Sequence, residues 1–96
     1  MFKVTLTART KFDLKNIHNY IAADNPARAN TYIKEIRAVI DNLGVFPFMG
    51  KQLDDSNDRR LIHGNYKIIY EVNEDVTEIY IKHVKNCAQN EQSYLK

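Results

Sequence analysis

The chain has 96 residues, 44% of them hydrophobic and 27% charged, with a formal net charge of +2 and a pI of about 8.7. Such a length holds one domain, 1–96, because two autonomous cores need roughly 100 residues apiece. The composition excludes a disordered or collagenous chain, no apolar run approaches the ~18–20 residues of a membrane span, and the charge is milder than that of a DNA-coating protein. Met1–Thr5 lacks the apolar stretch of a signal peptide. The single cysteine, Cys87, excludes an intramolecular disulfide framework and a Cys-rich zinc site. Both observations fit a reducing cytoplasm.

Phe2 to Leu6 alternates apolar and polar residues, the period of a half-buried strand. Thr7 can cap a helix running to about Ala23, with Leu14, Ile17 and Ile21 on its apolar stripe and Phe12 and Tyr20 flanking it. Asp24-Asn25-Pro26 breaks that helix. Asn25 suits an N-cap and Pro26 the first helical position, where a missing N–H costs nothing. The second helix carries the clearest period: Ala29, Tyr32, Ile33, Ile36, Val39, Ile40 and Leu43. Gly44 follows at the C′ position and Pro47 forbids continuation. Two amphipathic helices joined by so short a break predict an antiparallel hairpin, with Ile36 and Ile40 at the centre of its buried stripe.

An apolar loop, Phe46-Pro47-Phe48-Met49-Gly50, and a polar one, Asp54 to Asp58, come next. Arg59 to His63 reads as a strand, and Gly64-Asn65 as a two-residue hairpin turn with glycine at positive φ. Tyr66 to Val72 is a strand with Tyr66, Ile68, Tyr70 and Val72 on one face. A turn at Asn73-Glu74-Asp75 leads to a last strand, Val76 to Val84, with Ile79 and Ile81 inward. His83 shares their parity. The class is α+β, in the order β-α-α-β-β-β. The helical hairpin packs on one face of a mostly antiparallel sheet, and the other face is left for a ligand or partner.

No phosphate loop, zinc spacing or nucleophile elbow is present, and no metal or cofactor is implied. The candidates are therefore the cations of the second sheet face. Lys67 points away from the core row and is expected to be exposed. Arg59 and Arg60 point to opposite faces, so only one of them joins it. Lys51, His63, His83 and Lys85 lie nearby. Cations beside a histidine suit RNA cleavage or RNA gripping, since they stabilise charge on phosphorus while the imidazole moves protons. The plainer readings are a solvated strand surface for the cations, a turn-flanking His63, a partly buried and hydrogen-bonded His83, an incidental Cys87 thiol, and core roles for Tyr66 and Tyr70.

Four stretches together resemble the RelE/ParE superfamily, the toxin halves of type II toxin–antitoxin modules. They are Ala8 with Asp13-Leu14, Ile17, Tyr20-Ile21, Pro26 and Ala29; Leu43 with Phe46-Pro47 and Gly50; Arg59-Arg60-Leu61 with Tyr66 to Val72; and His83-Val84 followed by Asn86 to Asn90. The resemblance spans nearly the whole chain, implies the fold read above, and implies a toxin neutralised by a cognate antitoxin. Its RelE-like branch implies a ribosome-dependent mRNA endoribonuclease, with Lys67, Arg59, Arg60, His83 and Tyr94 as catalytic candidates. Lys67 stands where those enzymes usually carry an arginine, and Tyr94 is about one residue out of register. The ParE-like branch implies a DNA gyrase inhibitor, and the long helical pair, the Pro26 break and the tail favour it. There the tail commonly has an arginine before Gln-Asn. Ala88 occupies that position, through divergence or an introduced substitution, and marks an altered functional site. An inactive interaction module of the same fold is the third reading. The apolar loop residues Phe46, Phe48 and Met49 are the expected antitoxin contacts, the alternative being that they pack under the helix ends.

Overall fold

A computed structural model describes residues 1–54 and 56–87. Its elements are β1 (Lys3–Leu6), α1 (Ala8–Ala22), α2 (Pro26–Asn42), β2 (Lys51–Gln52), β3 (Asp58–His63), β4 (Tyr66–Asn73) and β5 (Glu78–Asn86). The sheet order is β1-β5-β4-β3-β2. β1 runs parallel to β5 and the other neighbours are antiparallel. The β-α-α-β-β-β order therefore holds, with one addition. The two-residue β2 pairs Lys51 with Arg60 and Gln52 with Arg59, and is too short to leave a periodic signature.

The helix boundaries follow from the capping residues. Thr7 accepts a hydrogen bond from Thr10 N, and Asn25 accepts one from Arg28 N with Pro26 behind it. Gly44 follows the C-cap residue Leu43, but close approach gives it a second role. Phe2 N donates to Gly44 O at 2.8 Å. A Cβ on Gly44 would sit 2.9 Å from Phe2 O. Glycine here lets β1 lie against the end of α2.

Leu14, Ile17, Tyr32, Ile36, Ile40 and Leu43 from the helices meet Tyr66, Ile68, Tyr70, Ile79, Ile81 and Val84 from the sheet. Ile36 and Ile40 are 0% and 1% exposed, so the predicted stripe is the buried one. Gly64 turns the β3–β4 hairpin at φ +58°. The last strand begins at Glu78 rather than Val76, because the preceding turn extends through Thr77, which has φ +50°.

The larger departure lies inside β5. Tyr70 pairs with Ile81 but Ile69 pairs with His83, so Lys82 is an extra residue in a β-bulge. The bulge breaks the parity that would group His83 with Ile79 and Ile81. Val84 takes the core position instead and is 2% exposed.

β1 stops pairing at Leu6–Ile81, and α1 takes over the rest of that edge of β5. Thr10 Oγ1 donates to Ile81 O at 2.6 Å, and Val84 N donates to Asp13 Oδ2 at 3.2 Å. A sheet edge that would otherwise carry exposed backbone groups is thereby closed by side chains of the first helix. Among the described residues no helix is long and apolar enough to cross a membrane.

Candidate functional site

Strand register settles which cations share a face. Arg60 pairs with Ile69, Ile62 with Lys67, and Lys67 with Lys85. These positions lie opposite the core row. Arg59 pairs with Tyr70 and belongs to the core side. Arg60, not Arg59, is thus the arginine that joins Lys67. His83 pairs with Ile69, and its Nδ1 lies 3.7 Å from Asp13 Oδ2.

Lys67 is not exposed. It is 4% accessible, which corrects the expectation from alternation. β4 is an inner strand, so Lys67 has cross-strand neighbours on both sides, Ile62 and Lys85. The alternation of a strand assigns a side chain to a face but does not say how deeply its neighbours cover it. Tyr94 and Ala88 lie outside the described residues.

Part of the charge on this face is compensated, at Lys82. Lys82 Nζ lies 2.8 Å from Asp58 Oδ1 and 2.9 Å from Glu71 Oε1. Those two carboxylates raise the Lys82 pKa. Burial lowers that of Lys85, and the nearby positive charges of Arg9 and Lys67 lower it further. Burial likewise depresses His83, with Lys85 and Arg9 adding repulsion that outweighs Asp13. The imidazole is held toward its neutral form. His63 is more than a turn-flanking residue. Its Nε2 sits 3.6 Å from Glu35 Oε1, its carbonyl accepts from Tyr32 Oη at 3.2 Å, and it ties the β3–β4 hairpin to α2.

A second region stands out by contrast. Phe46, Phe48 and Met49, the expected antitoxin contacts, are 58%, 48% and 45% exposed, and Val45 beside them 51%. With Pro47 they line an open depression of about 410 Å³. Its backbone is pinned from below by Tyr70, which is fully buried. Gly50 N donates to Tyr70 Oη at 2.8 Å, and Tyr70 Oη donates to Pro47 O at 2.9 Å. Burial raises the phenol pKa, so the hydroxyl stays protonated and keeps its donor. Arg59 Nη1 donates to Gly50 O at 2.8 Å, and its guanidinium lies 4.8 Å from the centre of the Phe48 ring. The alternation of the strands marks neither role. Neither a buried tyrosine hydroxyl nor an arginine spent on a loop carbonyl leaves a sequence period.

A cleft of about 370 Å³ between α1 and the end of β5 also escaped the sequence reading. Arg9, Phe12, Asn16, Tyr20, Lys85 and Asn86 are among its lining residues. The spacing of Phe12, Asn16 and Tyr20 along α1 was the available signal. Arg9 there is paired with Asp13 at 3.0 Å.

A two-helix hairpin on this sheet defines the RelE/ParE fold, and solved structures agree. The chain is similar to a chain of the chromosomal ParDE toxin–antitoxin system from P. aeruginosa, with TM-score 0.76, 18% identity, and 90% of this chain and 96% of that one covered. It is similar to a chain of the toxin–antitoxin complex RelBE2 from Mycobacterium tuberculosis, with TM-score 0.68, 18% identity, and 88% and 96% covered. The isolated E. coli RelE toxin has TM-score 0.70 at 9% identity, with 99% and 94% covered. No curated protein sequence matches the chain. These structural likenesses, at 9–18% identity, show the RelE/ParE fold. Within it, the chain belongs to the family of ParE toxins of type II toxin–antitoxin systems, parDE, whose model matches residues 4–91.

Proposed function

We propose that this toxin acts in the cytoplasm by binding DNA gyrase, not by cutting mRNA, and that a cognate antitoxin holds it inactive through the apolar loop of Phe46, Phe48 and Met49. The observation that carries the target assignment is the burial of Lys67 at 4%. A cation that stabilises a scissile phosphate must reach the substrate. Arg59 is also committed, to Gly50 O and the Phe48 ring. Arg59 is thus withdrawn from the face that carries Lys67.

Ribosome-dependent mRNA cleavage is the second reading. Arg60, Lys67 and His83 lie on one face by register, which favours it. Induction of the chain without antitoxin separates the two. Gyrase inhibition predicts filamentation, an SOS response and loss of supercoiling activity when purified gyrase is mixed with the toxin. Prompt translation arrest with codon-phased mRNA ends and unaffected supercoiling would establish the endoribonuclease instead.

A further inference from the structure

The apolar loop alternates held and presented residues. Pro47 and Gly50 are buried, while Val45, Phe46, Phe48 and Met49 are exposed. An accidental surface loop turns its large apolar side chains inward where it can, and contiguous exposed apolar patches mark interaction sites. Here the backbone is fastened and the side chains are left out. Tyr70 supplies two of the fastenings, at 2.8 and 2.9 Å, and Arg59 the third, at 2.8 Å. Gly50 is required at its place, since a Cβ there would lie 2.7 Å from Tyr70 Oη.

Along the loop itself the charge is one-sided, with the nearest acids in sequence at Asp41 and Asp54. From Leu43 to Leu53 the charged residue is Lys51 alone, with no acid. Lys51 is exposed and pairs across the sheet with Arg60, and Arg59 stands over Phe48. The complementary occupant carries an apolar side chain flanked by carboxylates.

We propose that an acidic segment of the antitoxin seats an aliphatic or aromatic side chain in the Val45–Met49 cradle, and that Tyr70 and Arg59 are positioning residues that hold the cradle in its binding shape. This rests on the reading above that an antitoxin restrains the chain. A pre-fastened loop binds without first being ordered. Unfastening it lowers the competent fraction, and with it the apparent affinity, although no contacting side chain is lost.

The test is titration of the purified toxin with the purified antitoxin of its own module. Phe46→Ser with Phe48→Ser should weaken binding by about 100-fold or more, as removal of buried aromatic anchors does. Tyr70→Phe and Arg59→Gln should each weaken it by about 10-fold, through a slower association rate. Hydrogen exchange at the Gly50 amide should accelerate in both. Affinity should fall with added salt, and less steeply in Arg59→Gln and Lys51→Gln. Phe12→Ser and Tyr20→Ser in the distant cleft should bind as the unsubstituted chain does. Should Tyr70→Phe fail to fold, Arg59→Gln decides the positioning role.

Unchanged affinity in the double Phe variant, with the unsubstituted chain still bound, overturns the cradle and leaves the toxin reading intact. If the double variant instead loses gyrase binding or self-association, the cradle belongs to that occupant. Unchanged Gly50 exchange and association rate in Arg59→Gln overturn the positioning role. Failure of the unsubstituted chain to bind antitoxin at micromolar concentration overturns the toxin–antitoxin reading itself.

Discussion

The two faces of β4 are written in the same alternating pattern but are completed in different ways. Tyr66, Ile68 and Tyr70 meet Tyr32, Ile36, Ile40 and Leu43 of α2 together with Leu14 and Ile17 of α1. Removal of apolar area from water stabilises that face, and no single pairing is needed to hold it. The opposite face carries Lys67 and Glu71 and is organised by charge. Glu71 and Asp58 together hold Lys82, which the bulge in β5 brings to them. Burial on the first face follows from residue type and period. Burial on the second depends on which side chains happen to lie alongside.

The sharpest way to break this contrast is to cut into the helix-facing side. Ile36→Ala or Ile40→Ala removes a side chain at the centre of the core and leaves a cavity. Each should destabilise by about 2–5 kcal/mol in urea unfolding. Losses below about 1 kcal/mol with the fold intact would mean that the core relaxes around the gap, and that the two faces differ less than their burial implies.

That same contrast explains how much was legible in the amino-acid sequence. The helices were, because Thr7, Asn25 and Pro26 state their ends chemically and the α2 stripe is seven residues of unbroken period. The core row of β4 was legible for the same reason. His83 was misplaced because a bulge inserts one residue without a mark in the local pattern, and every later position changes face. Lys67 was misplaced in depth, not in face. Of the candidate site, the apolar loop was visible as composition. The Tyr70 and Arg59 contacts that fasten it depend on residues about twenty and ten positions away in sequence, respectively, brought close by pairing across the sheet.

Asp13 tests the join between the two regions, where α1 closes the edge of β5. It is 7% exposed, accepts from Val84 N at 3.2 Å, and pairs with Arg9 at 3.0 Å. Asp13→Ala leaves the Val84 N–H facing a side chain that cannot accept. The cost should be about 1–3 kcal/mol. Asp13→Asn keeps an acceptor oxygen and should recover most of the loss in the same urea measurement. Equal losses in both variants would show that the carboxylate charge, not the closed edge, is what matters there.

The smallest effect concerns His83, and its sign separates burial from ion pairing. Burial lowers its pKa below the ordinary 6.5, with help from Lys85 and Arg9 and against the pull of Asp13. In the window below 6.5 the folded chain therefore binds fewer protons than the unfolded one. His83 contributes its stability above that window, and the contribution is lost as pH falls through the lowered pKa. The side chain is 37% exposed, so solvent screening keeps the effect small. His83→Asn does not titrate. Comparing the stability of the two chains between pH 7.5 and 5 isolates His83 from His18 and His63, which both chains retain. The unsubstituted chain should lose stability relative to the variant on acidification. A relative gain would mean that Asp13 outweighs the cations and that His83 works as a charged partner at this edge.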